Sequence, residues 1–225
     1  VSFTGSSRAG IAISKAAADT LKRISLELGG KGANIIFANA AKDAVTNGVA
    51  RCMRNSGQSC NAPTRMLVER SRYAEALEQA AAAANATKVG SAAEEGNHIG
   101  PVVSKMQYDK IQNLIEVGIE EDGATVIAGG LGRPEGLNLG YYVRPTIFAD
   151  VGNDARINRE EIFGPVMSIM PFDTEEEAIA IANDTPYGLT NYIQCGDQEQ
   201  RQRVARKLRS GMVETNSVGF GMGSP

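Results

Sequence analysis

Apolar and polar residues alternate through Ile24-Ser-Leu-Glu-Leu28, so Ile24, Leu26 and Leu28 share one face of a strand and Ser25 and Glu27 share the other. Gly32 to Phe37 is a short apolar run of the kind that forms a buried strand. Further strands are predicted at Val1–Phe3, Arg65–Glu69, Thr125–Gly130, Tyr142–Phe148, Val166–Phe172, Leu189–Gln194 and Met212–Asn216. Helical patterns lie between them. Ser6 or Ser7 can cap a helix running to about Lys22, and a second helix spans Ala41–Arg54. Tyr73–Ala86 is alanine-rich and helical by propensity, with Tyr73, Leu77, Ala80 and Ala81 as its buried stripe. Ser104-Lys-Met-Gln107 and Thr174-Glu-Glu-Glu177 read as capping boxes. The first opens a helix burying Ile111, Leu114, Ile115 and Gly118, and the second one burying Ala178, Ile181 and Ala182. Asp197 caps a last helix that turns Val204, Ala205 and Leu208 inward and closes at Gly211. This alternation predicts an α/β fold with a largely parallel sheet. The one candidate boundary is Gly29-Gly30, where the first strand–helix–strand unit ends.

Composition narrows the classes. At 225 residues the chain holds one large domain or two small ones. A net charge of -3 gives no basic surface for nucleic acid, and no apolar run approaches the ~20 residues of a membrane span. No basic-plus-apolar leader suggests secretion. Cys52, Cys60 and Cys195 are irregularly spaced and odd in number, which suits a reducing compartment. One histidine and no CxxC pair argue against zinc. Val1 already sits in a strand-like run and Gly219–Pro225 stops in a loop, so the expectation is the interior of a longer protein.

Three features carry candidate chemistry. Asn55-Ser-Gly-Gln-Ser-Cys60-Asn-Ala-Pro-Thr-Arg65 sets a thiol on a connection between a helix and a strand, where scaffolds commonly hold reactive groups. Thr4-Gly5-Ser6 is a glycine turn leading into a helix N-terminus, a geometry that binds phosphate. Glu27 stands at the carboxyl end of a strand, where open α/β sheets place ligands. Each has a plainer reading: a core cysteine, a turn that binds nothing, a solvated carboxylate. A thiol of ordinary pKa, about 8.5, supplies little thiolate at neutral pH and needs a base. His98 lies in another turn with no cysteine-protease signature around Cys60, and it is given no role. A carboxylate can serve instead. Cysteine, carboxylate and a nucleotide turn together point to oxidation through a thioester.

The chain resembles the aldehyde dehydrogenase superfamily along nearly its whole length. Six motifs occur in the family's order: Phe3-Thr-Gly-Ser6, Leu26-Glu-Leu-Gly-Gly-Lys31, Gly57-Gln-Ser-Cys60, Glu160-Glu-Ile-Phe-Gly-Pro165, Asn183-Asp-Thr-Pro-Tyr-Gly-Leu189 and Gly211-Met-Val-Glu-Thr-Asn216. The resemblance implies a three-layer αβα catalytic domain over residues 30–225, preceded at 1–29 by the last strand–helix–strand of a Rossmann-like cofactor domain. It implies Cys60 as nucleophile and Glu27 as the base that activates water. Gly5 and Ser6 then lie beside the cofactor pyrophosphate, Leu28 and Gly29 line the nicotinamide site, Glu161 holds the ribose hydroxyls, and Phe163 packs near the ring. Phe163 as core and Glu161 as a cap are the plainer alternatives. Gln107 and Lys110 match positions that reach the ribose in some members, Asn216 supports the site, and Ser217 to Phe220 line the substrate entrance. Also implied are a small-molecule aldehyde substrate, NAD with NADP as alternative, cytoplasmic location and a homodimer or homotetramer. Ser7 departs from the usual threonine, and the Glu27–Cys60 segment is about one residue short near Asn39–Asp43, by comparison with the family pattern. The family's oxyanion asparagine and most of its dinucleotide domain are expected upstream of Val1, which implies an inactive fragment. A coenzyme-A-acylating relative and a structural, crystallin-like member are competing readings; Glu27 argues against the first, and retention of both Cys60 and Glu27 against the second.

Overall fold

The computed structural model describes residues 1–216. Its chain begins with β1 (Ser2–Thr4), α1 (Ser7–Ala18) and β2 (Ser25–Glu27), and the two strands form a parallel pair of their own, with Thr4 opposite Glu27. Ser6 caps α1 by accepting from the Ala9 N–H at 3.3 Å. A side chain at Gly10 would press on Leu28, so the absence of one lets α1 lie on β2. Helix α1 ends at Ala18, short of the expected Lys22. Leu21, at φ +50, takes the left-handed position, and the Lys22 N–H returns to Ala17 O at 3.1 Å. Nothing in Asp19–Arg23 offers the glycine that usually marks such a stop.

A seven-stranded sheet comes next, in the order β5-β6-β7-β4-β3-β8-β9. Its strands are β3 (Ala33–Ile36), β4 (Arg65–Glu69), β5 (Thr125–Ala128), β6 (Thr146–Ala149), β7 (Val166–Phe172), β8 (Thr190–Gln194) and β9 (Met212–Thr215). Among the described strands only the β5–β6 pairing is antiparallel. The expected strand from Tyr142 starts instead at Thr146, because Pro145 has no N–H to give a ladder. Helices α2 (Ala44–Met53) and α3 (Tyr73–Ala86) cover one face. The other is covered by α4 (Lys105–Glu120), the short α5 (Arg156–Arg159), α6 (Glu175–Asn183) and α7 (Gln198–Ala205). The result is two apolar layers on either side of a mostly parallel sheet. In α3 the buried stripe is Ala76, Ala80 and Ala84, with Tyr73 and Leu77 partly buried beside it rather than at its centre.

One polar contact inside this core escaped the pattern. Arg65, the first residue of β4, is fully buried and donates to Lys31 O at 3.1 Å, Ile181 O at 2.8 Å and Ala182 O at 2.9 Å. It satisfies the last carbonyls of α6 and sets a positive charge at that helix's negative end.

Candidate active site

The helix predicted over Ala41–Arg54 spans only α2, and beyond it the backbone enters a left-handed run: Asn55 at φ +50, Ser56 at φ +55 and Gly57 at φ +70. Such torsions are costly for residues with a Cβ and must be held by their surroundings. Ser56, itself buried, donates its hydroxyl to Gly100 O at 2.7 Å. Asn55 Nδ2 donates to Gln58 O at 3.0 Å, and Gln58 Nε2 returns to Asn55 O at 3.2 Å. Gln58 Oε1 accepts from the Val103 N–H at 2.8 Å, and Tyr192 Oη donates to Asn61 O at 2.6 Å. The segment carrying Cys60 is therefore fastened on both sides of the thiol.

Three glycines explain how the neighbouring loops come so close. A Cβ on Gly57 would overlap Gly164 O, one on Gly30 would overlap Cys60 O, and one on Gly29 would overlap the Glu161 carboxylate. Gly29-Gly30 is more than an open turn. It lets the backbone of Cys60 and the side chain of Glu161 close on the same spot, and the Gly30 N–H donates to Glu161 Oε1 at 2.8 Å.

A cavity of about 680 Å³ opens where these loops meet. Eight of the residues singled out in the sequence line it: Gly5, Ser6, Glu27, Leu28, Gly29, Cys60, Glu161 and Phe163. Gln107 and Lys110 line it as well. Glu27 is exposed, at the end of β2, and its main-chain carbonyl accepts from the Gly5 N–H at 2.9 Å, which ties the strand end that carries the carboxylate to the glycine turn. Cys60 is half-buried. Cys52 and Cys195 are buried. Burial pushes the Cys52 thiol up to about 12, against a smaller opposing pull from Lys31.

Other expected residues fall elsewhere. Asn216 borders a separate cavity of about 560 Å³ and clasps the backbone of Cys195, accepting from its N–H and donating to its carbonyl, both at 2.9 Å. That contact prolongs the β8–β9 pairing. His98 meets Ser91 O at 2.8 Å and is not among the residues lining the cavity of Cys60. Ser217 to Phe220 lie outside the described residues. Among the described residues no group of three or more metal-ligating side chains gathers, and no helix is long and apolar enough to cross a membrane. Sequence reasoning missed Lys31. Its Nζ is buried with no hydrogen-bond partner among the described residues, and burial, with Arg65 adding repulsion, brings its pKa down to about 7. Its place after Gly29-Gly30 was visible; its burial needed the fold.

Residues 1–223 match the model of the aldehyde dehydrogenase family. A 3-succinoylsemialdehyde-pyridine dehydrogenase from a Pseudomonas species is 50% identical over 226 residues, covering 100% of this chain and 47% of the relative. An aldehyde dehydrogenase structure from Bartonella henselae has a TM-score of 0.95 at 62% identity, covering 100% of this chain and 46% of that one. A mutant aldehyde dehydrogenase C from Pseudomonas syringae, in complex with NAD+ and octanal, has a TM-score of 0.95 at 45% identity, covering 98% and 45%. The chain thus spans about half the length of the relatives it matches. It belongs to the aldehyde dehydrogenase family.

Proposed function

We propose that this chain carries the catalytic part of an enzyme that oxidises an aldehyde to a carboxylic acid, with residues 1–29 completing a cofactor-binding domain and residues 30–225 forming the catalytic one. The observation that carries the reading is the shared cavity, which draws Glu27 and Gly5 from the two-stranded sheet and Cys60 and Glu161 from the larger unit. Cys60, as thiolate, attacks the aldehyde carbon and forms a C–S bond while the C=O π pair moves to the oxygen, from which it re-forms C=O as the hydride departs. When bound, the oxidised nicotinamide supplies the acceptor for the hydride that leaves that carbon. Cys60 then holds a thioester. Glu27 takes a proton from water, the hydroxide adds to the thioester carbon, and the C–S bond breaks to return the thiolate and release the acid.

The lining fits a dinucleotide. The volume lies in the range of ligand pockets. Glu161 faces the glycine pair with no intervening side chain, and Gly5-Ser6 places the start of α1 at the rim. NAD is favoured over NADP because several similar structures are NAD+ complexes.

Mass-mapped iodoacetamide labelling tests the reading. Cys60 should react faster than Cys52 and Cys195 by at least about tenfold, as expected for an accessible thiol against buried ones, and in the full-length protein NAD+ with an aldehyde should protect it. Equal, slow reaction of all three thiols would instead support a structural member of the family.

A further inference from the structure

Gln107 has a second partner set that its place in the sequence does not suggest. Its backbone N–H is capped by Ser104 Oγ at 3.2 Å, one half of a capping box. In the full box the side chain folds back to the cap's own N–H. Here it turns away, and Nε2 donates to Ile162 O at 2.8 Å and to Phe163 O at 2.9 Å. One turn on, Lys110 Nζ donates to Glu161 O at 2.6 Å. Three consecutive carbonyls thus rest on two side chains of α4.

Ile162 O and Phe163 O belong to the two peptide planes that flank the Phe163 Cα. Holding both fixes φ and ψ of that residue. Phe163 needs this, because it sits at φ +58, a region that bulky L-residues avoid. The amide nitrogen has two hydrogens, and both are used on the backbone, so none is left to donate to a ligand.

We propose that Gln107 is a positioning residue that locks Phe163 in its left-handed conformation, and so aims the Glu161 carboxylate at Gly30 and the Phe163 ring at the cavity. The role rests on the dehydrogenase reading only for the identity of the cofactor that Glu161 and Phe163 meet.

The Gly30 amide reports on the arrangement without substrate or cofactor, because its hydrogen bond goes to Glu161 Oε1. In Gln107→Met, which keeps length and loses both donors, Gly30 hydrogen exchange should quicken about tenfold, the shift expected from losing one or two hydrogen bonds. Exchange at Leu67 and Val68 in β4 should stay unchanged. Glycine tolerates the left-handed torsion, so in a Phe163→Gly background the same change should quicken Gly30 by less than about twofold. Unaltered Gly30 exchange in Gln107→Met would overturn the proposal, as would an undiminished tenfold effect in the Phe163→Gly background. Should Gln107→Met also loosen β4, Gln107→Glu, equal in shape and without donors, takes its place in the same comparison. If Gly30 responds as expected while NAD+ with an aldehyde fails to protect Cys60 in the unmutated full-length protein, Gln107 keeps its role and the dehydrogenase reading falls.

Discussion

Lys31 is 2% exposed and its ammonium has no hydrogen-bonding partner among the described residues. A buried charge of this kind is costly, and the amine responds by giving up its proton near pH 7. The unfolded chain holds that proton up to about 10.5. Between the two values the unfolded state binds more protons, so stability rises with pH; below about 7 the full penalty applies. Lys31→Met should therefore stabilise the protein at pH 7, on the order of a few kcal/mol, and the gain should shrink towards pH 10. Parallel urea midpoints for the two proteins from pH 6 to pH 10 would contradict this. The cysteines show what sequence can reveal at this scale. The Gly57-Gln-Ser-Cys60 motif singled out one thiol, and burial separates it from the other two. The partners of Gln107 were not legible, because Ile162 and Phe163 lie more than fifty residues away in the chain, and neither was the setting of Lys31, because Arg65, which repels it, lies more than thirty residues away.

At the scale of elements, periodicity and caps located nearly every helix and strand, and the errors have local causes. Arg65–Glu69, Tyr73–Ala86 and Val166–Phe172 coincide with β4, α3 and β7. Helix α1 stops early at a left-handed leucine, β6 starts late behind a proline, and α2 gives way to the left-handed run before Cys60. The first of these is open to test. Leu21 is 92% exposed, so its side chain contributes little to packing, while its backbone is strained. Leu21→Gly should stabilise the chain by about 0.5–1 kcal/mol, since glycine relieves the left-handed strain but costs entropy in the unfolded state. A lower denaturation midpoint in the variant would show that the turn is not strained. Arg65 illustrates the opposite limit. A charged residue at the start of a strand reads as a solvated end, and only the packing of α6 across β4 makes it a buried cap.

For the molecule as a whole, the alternation of strands and helices was enough to predict a parallel α/β fold. The strand order was not legible, because it depends on which crossover passes over which face. The two sheets also differ in how they are held. Neither β1 nor β2 has a fully buried residue, and α1 buries only Gly10 and Ala17, whereas β4 and β7 are buried almost throughout. Regions with few buried contacts open at low free energy. Amides of β1 and β2 should exchange at least about a hundredfold faster than those of β4, a gap of a few kcal/mol in opening free energy; equal protection would mean that the two units open as one. The glycines at the junction of the loops have a consequence for transplanting parts between relatives. Gly30 meets the backbone of Cys60, and Gly57 meets the backbone of Gly164, so three separate segments touch without side chains between them. A donor loop carrying its own thiol would fit only a recipient that keeps glycine at the facing positions. The three segments are interchangeable as a set and not singly.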